Sequence, residues 1–155
     1  MTIIELRSAV VAEARSWIGT PYHEGGRKKG VGCDCVTLIA EVLLACGIVS
    51  NADIEFFGRH WWVNAKEETY MLRLLRHAAK TIEAVSYPTL NAQPGDIVMV
   101  RALDSRVYNH GGIVTRWPLI VHAIGPQVEE TDASTHNMWA FKTVAVLDPY
   151  LRRAA

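Results

Sequence analysis

A chain of 155 residues, half of it apolar and about a fifth charged, is long enough to bury a core and reads as one domain over residues 1–155. Sixteen basic residues balance sixteen acidic ones, which removes the basic footprint of a nucleic-acid binder. The N-terminal stretch MTIIELRSAVVAEARSW lacks the long apolar core of a signal peptide, and the longest apolar run, LIAEVLLACGIV, is interrupted by Glu41 and too short for a membrane span, so the chain is expected to be made in the cytoplasm.

Ile3, Leu6, Val10, Val11, Ala14, Trp17 and Ile18 recur at helical spacing, and Gly19 with Pro21 beyond it closes that helix. A glycine- and lysine-rich loop, TPYHEGGRKKGVG, follows. Cys35, Leu38, Ile39, Val42, Leu43 and Cys46 then form one helical stripe that stops at Gly47. This places Cys35 in the first turn of a mostly buried helix and Cys33 in the loop before it. Residues 50–63 have no clean period and read as loop or short turns, and a third helix is expected from Asn64, with Glu67 completing a capping box, to about Ile82. From Pro94 onward the runs DIVMVRA, HGGIVTRW, LIVHAI, QVEET and KTVAVLD predict strands. Helices first and an antiparallel meander second give an α+β fold, with N-terminal helices packed on a sheet of about five strands.

Three cysteines without a secretory signal argue against a disulfide framework, and Cys33 and Cys35 are too close in sequence to bridge without strain. Backbone amides and the helix dipole at the first turn favour a thiolate at Cys35. His110 opens one predicted strand and His122 lies on the next, so a hairpin turning at Trp117-Pro118 brings the two together. A cysteine, a base and a polar group that orients the base are the components of nucleophilic acyl chemistry.

These stretches resemble the NlpC/P60 family of papain-like cysteine peptidases. The matching pieces are Gly19-Thr20-Pro21-Tyr22 with Gly25-Gly26, Asp34-Cys35, Pro94-Gly95-Asp96, His110-Gly111-Gly112-Ile113, and His122-Ala123 twelve residues after His110. They cover roughly residues 8–148, and five pieces in order at compatible spacing are far more specific than any one. The resemblance implies Cys35 as nucleophile, His110 as general base and His122 as the orienting group. It implies that Tyr22 lines the site and that Asp34 receives the amino end of a substrate; capping of the helix is an equal reading of Asp34. It needs no metal or cofactor. The implied substrate is a peptidoglycan stem peptide, cleaved at an amide, commonly the γ-D-glutamyl–diamino acid bond. GTPY…KGVGCDC without a signal looks like the branch encoded among phage and gene-transfer-agent tail genes, which implies tail proteins as partners and delivery to the cell wall.

Two departures stand out. Val36-Thr37 replaces the family's Ser-Gly or Thr-Gly after the nucleophile, and the span from Cys35 to His110 is longer than in compact members, so residues 50–82 are candidates to wall the cleft. Rival readings are a zinc site from Cys33, Cys35, His110 and His122, an acyltransferase or amidase, and a catalytically silent tail scaffold. Cys46 is expected in the core, and His23, His60, His77 and His136 are expected on the surface or in loops.

Overall fold

The computed structural model describes residues 1–49, 61–65, 83–85, 92–140, 144–148 and 150. Helix α1 (Ile3–Ser16) is opened by Thr2, whose hydroxyl accepts the Glu5 N–H while the Glu5 carboxylate accepts the Thr2 N–H. Leu6, Val10, Ala14 and Trp17 of its apolar stripe are buried, whereas Ile18, one residue past the C-cap, is exposed. Two short strands follow, β1 (Arg27–Lys28) and β2 (Gly32–Cys33), paired antiparallel. Cys33 is thus a strand residue with no exposed surface, rather than part of a loop. Its thiol is pushed up to about 12, chiefly by burial and then by the neighbouring Asp34 charge.

Helix α2 (Cys35–Ala45) buries Val36 to Ala40, Val42 and Leu43. Gly47, at φ +67°, ends it in the left-handed region that a side chain would resist. Cys46 is half-buried at the edge of the core. A short 3₁₀ helix occupies Trp61–Asn64. The third helix expected over residues 64–82 falls, beyond Asn64 and Ala65, outside the described residues, as do His60 and His77.

The sheet contains β3 (Glu83–Val85), β4 (Ile97–Val100), β5 (His110–Arg116), β6 (Leu119–Ile124), β7 (Gln127–Asp132) and β8 (Val144–Asp148), in the order β3-β8-β4-β5-β6-β7. Every pairing is antiparallel. Six strands therefore stand in the main sheet among the described residues; the addition to the five expected is β3, three residues too short to announce itself by alternation. The α+β architecture is otherwise as the sequence indicates.

Alternation along the strands divides the core. Ile97, Met99, Ile113, Val121, Ala123 and Val128 pack with α1 and α2, whereas Val98, Val100, Val114, Ile120 and Val146 form a second cluster with Trp139. Helix α1 is fastened to the start of β4 by Arg7, whose Nη1 donates to Asp96 Oδ1 at 2.7 Å and to the Pro94 carbonyl at 3.0 Å. Asp96 is fully buried, and its second oxygen accepts the Gln93 N–H at 2.8 Å. Pro94-Gly95-Asp96 thus serves the fold, turning the chain into β4.

Candidate functional site

Asp34 sets the entry to α2. Its Oδ1 accepts the N–H groups of Val36 and Thr37, each at 2.9 Å, and its Oδ2 accepts the Gly25 N–H at 2.8 Å. One carboxylate thus caps the helix and ties the glycine loop to it. The Asp34 backbone carbonyl takes the Leu38 N–H as well. Of the first-turn amides, those of Val36, Thr37 and Leu38 are thus taken by Asp34, while the Cys35 N–H turns to its own sulfur. Tyr22 is brought alongside by a bridge to Cys33 and by its N–H donating to the Pro126 carbonyl at 2.9 Å.

The two histidines meet because of the sheet register. Ile113 pairs with Val121, which places Gly112 opposite His122 and makes His110 the diagonal neighbour. A Cβ on Gly112 would lie 3.3 Å from His122 Cβ, so the missing side chain leaves room for both imidazoles. His110 Nε2 lies 2.8 Å from His122 Nδ1, with the rings edge to face at 69°. Both are buried. Burial holds His110 well below its ordinary range, reinforced by the His122 and His136 charges; burial likewise lowers His122 against the opposing effect of a hydrogen bond to Glu129.

Cys35 comes to this pair through the backbone. Its Sγ donates to the Asn109 carbonyl at 3.8 Å, and the Gly111 N–H approaches it from the other side of His110. Among the described residues no hydrogen bond joins Cys35 Sγ to the His110 ring, so the contacts of the sulfur run through the backbone on either side of His110. The thiolate expected from the helix dipole is not favoured at rest. Burial pushes the Cys35 thiol well up, Asp34 pushes it further, and the Gly111 and Cys35 backbone amides only partly offset them. Burial thus favours the neutral form of both the Cys35 thiol and the His110 imidazole.

Three residues that sequence reasoning left aside complete the surroundings. Glu129 Oε1 lies 3.0 Å from His122 Nε2 and 3.5 Å from His136 Nε2. Trp139 Nε1 donates to His122 Nδ1 at 3.3 Å. His136, expected on the surface or in a loop, stacks edge-on with His122 at 5.0 Å between centroids. Glu129 had a signal. A two-residue turn at Gly125-Pro126 makes His122 and Glu129 face each other, as they do. Trp139, on the turns after β7, had none.

His122, Glu129 and His136 present metal-ligand atoms within 4.8 Å of one another. Their surroundings are nevertheless wrong for a metal. A metal-bound neutral imidazole donates from its other nitrogen, yet here Trp139 donates to His122 Nδ1 and the Met138 N–H donates to His136 Nδ1 at 3.2 Å. The cluster is built as two N–H donors converging on one carboxylate.

No family model matches the sequence, and no curated protein matches it. Solved structures do. The NlpC/P60 domain of the peptidoglycan hydrolase SagA is 25% identical, with a TM-score of 0.55 over 90% of this chain and 97% of that one. The fold is that of NlpC/P60 domains. NlpC1 from Trichomonas vaginalis superposes with a TM-score of 0.59 at 15% identity, covering 91% of this chain and 42% of its own. An N-acetylmuramoyl-L-alanine amidase from Bacteroides uniformis gives 0.52 at 13%, covering 92% and 98%. This NlpC/P60 fold contains, among the described residues, no helix long and apolar enough to cross a membrane.

Proposed function

We propose that this chain is a cell-wall hydrolase, a cysteine peptidase cleaving an amide bond in peptidoglycan stem peptides. The observation that carries the reading is the 2.8 Å His110–His122 pair buried at the strand start on which the Cys35 sulfur rests. Likeness to the NlpC/P60 domain of a peptidoglycan hydrolase supports the substrate class.

The chemistry follows from the neutral resting state. The Cys35 thiol turns from the Asn109 carbonyl to the imidazole, and its proton passes from Sγ to His110 as sulfur adds to the substrate carbonyl. His122 holds the His110 ring as it becomes an imidazolium. The Cys35 N–H faces the oxyanion, collapse expels the amine with the proton from His110, and water releases the acyl group. Tyr22 lines the cleft. Asp34 accepts three backbone amides and caps the helix, and its Oδ2, with one amide, keeps acceptor capacity for the amino end of a substrate.

The bond proposed is γ-D-glutamyl–diamino acid, and the setting is a phage or gene-transfer-agent tail that delivers a cytoplasmically made protein to the wall. Digestion of purified stem peptides, read by mass spectrometry beside a Cys35→Ala control, tests the reading. Fragments from the parent alone establish the cysteine hydrolase, and their masses name the bond. Fragments from both sink Cys35 as nucleophile, and none from either sinks the peptidase in favour of another acyl substrate or a scaffold.

A further inference from the structure

We infer that Trp139 and Glu129 are positioning residues that decide which nitrogen of His110 carries the proton. The catalytic consequence rests on the cysteine-hydrolase reading above; the tautomer assignment does not.

An indole N–H can only donate, and a carboxylate can only accept. Trp139 Nε1, on a side chain 2% exposed, points its hydrogen at His122 Nδ1 from 3.3 Å. Glu129 Oε1 sits 3.0 Å from the opposite nitrogen, Nε2. Both contacts demand the same tautomer of His122, with the proton on Nε2 and a lone pair on Nδ1. The same lone pair faces His110 Nε2 at 2.8 Å and is shared between the two donors, His110 being the closer, so His110 must supply its hydrogen from Nε2. A neutral imidazole has one N–H, and Nδ1 of His110 is therefore left unprotonated.

The reverse arrangement fails at two contacts together. With the proton on His122 Nδ1, the Trp139 N–H would meet another N–H, and Glu129 would face a lone pair. His110 would then carry its proton on Nδ1 and present no base there. The pair thus transmits a choice across two rings, from the rim at half-exposed Glu129 and the buried Trp139 to the histidine beside Cys35. His136 shares Glu129 from 3.5 Å, a distance that makes it the weaker partner. One proton leaves Sγ for His110 Nδ1 in the reaction, and no proton needs to move along the chain to Glu129.

Nitrogen-15 spectra of histidine-labelled protein at neutral pH read the tautomer directly, without substrate. The parent should show both His110 and His122 as Nε2–H forms; an Nδ1–H form at either residue in the parent overturns the inference. The double variant Glu129→Ala, Trp139→Phe should populate Nδ1–H at both rings, and kcat should fall by about 10²–10⁴-fold with KM little changed, the scale of a wrong-tautomer triad. Glu129→Gln, whose amide oxygen can still accept, should keep the parent spectrum. An unchanged spectrum in a folded double variant also overturns it. If the parent shows the expected tautomers but cuts no stem peptide, the proposed function fails and the assignment stands.

Discussion

The two faces of the β5–β6 hairpin carry opposite kinds of order. Toward the helices, Ile113, Val121 and Ala123 meet α1 and α2 in a wholly apolar core, where shape and area set the energy. On the other face Val114 and Ile120 continue an apolar cluster, but beside them His110, His122, Glu129 and Trp139 are held by directional contacts of 2.8, 3.0 and 3.3 Å. Neighbouring residues of one strand therefore serve different ends. The strand alternates, so one hairpin can be a core element and a reagent holder at once. Mutations one residue apart should separate stability from rate.

The largest expected effect is on rate. His110→Ala should lower kcat on stem peptides by about 10²–10⁴-fold, the usual contribution of a general base, while the folded spectrum persists. A kcat within a few-fold of the parent would remove His110 from the chemistry. Ile113→Ala, three residues along on the helix face, should do the reverse. It should cost about 2–5 kcal/mol in denaturant unfolding and leave kcat per folded molecule near the parent value. Equal loss of kcat in both variants would dissolve the distinction between the faces.

Gly112→Ala probes the seam. Its Cβ would stand 3.0 Å from the Val121 carbonyl and 3.3 Å from His122 Cβ, so about 1–3 kcal/mol of stability should be lost as His122 is displaced. A variant as stable and active as the parent would show that the two rings have slack. Labelling by iodoacetamide, followed per peptide, should be slow for Cys35 at neutral pH and rise only above the ordinary thiol value of 9.0. A plateau of fast labelling near neutrality would mean that the resting state is the ion pair after all.

The smallest effect concerns acid. His110 and His122 are lowered in the folded chain from 6.5, so above that pH both states are neutral and no stability depends on them. Below it the unfolded chain takes up protons that the folded one refuses, and stability falls as the pH drops. Melting temperature should therefore decline from about pH 7 toward about pH 5, and less steeply in a His110→Gln variant. Identical slopes would place the acid sensitivity elsewhere.

The sequence made visible what depends on local period. The helix stripes, the hairpin closed by Trp117-Pro118 and the adjacency of His110 and His122 all follow from spacing. The α2 start at Cys35 follows from Asp34 and the apolar stripe. Properties that depend on surroundings were hidden. The helix dipole at Cys35 favours a thiolate but is outweighed by burial and by the Asp34 charge, neither of which has a period in sequence. Cys33 read as loop because two-residue strands have no alternation to detect. Trp139 reaches His122 only through the path of the turns after β7, which nothing in THNMWA announces.

Asn109 joins the two ends of the β4–β5 connection. Its side chain accepts the Ala102 N–H at 2.7 Å and returns a hydrogen to the Ala102 carbonyl at 3.1 Å, imitating one rung of a ladder, while its backbone carbonyl receives the Cys35 thiol. Whatever lies between these two residues is closed off like a loop on a clasp. Residues 103–106, which are exposed or half-buried, are the part of this connection that should tolerate exchange, whereas Val107 is buried and anchors its end. The clasp thus separates the sequence of that connection from the position of the Cys35 sulfur and of His110, the residue that follows Asn109.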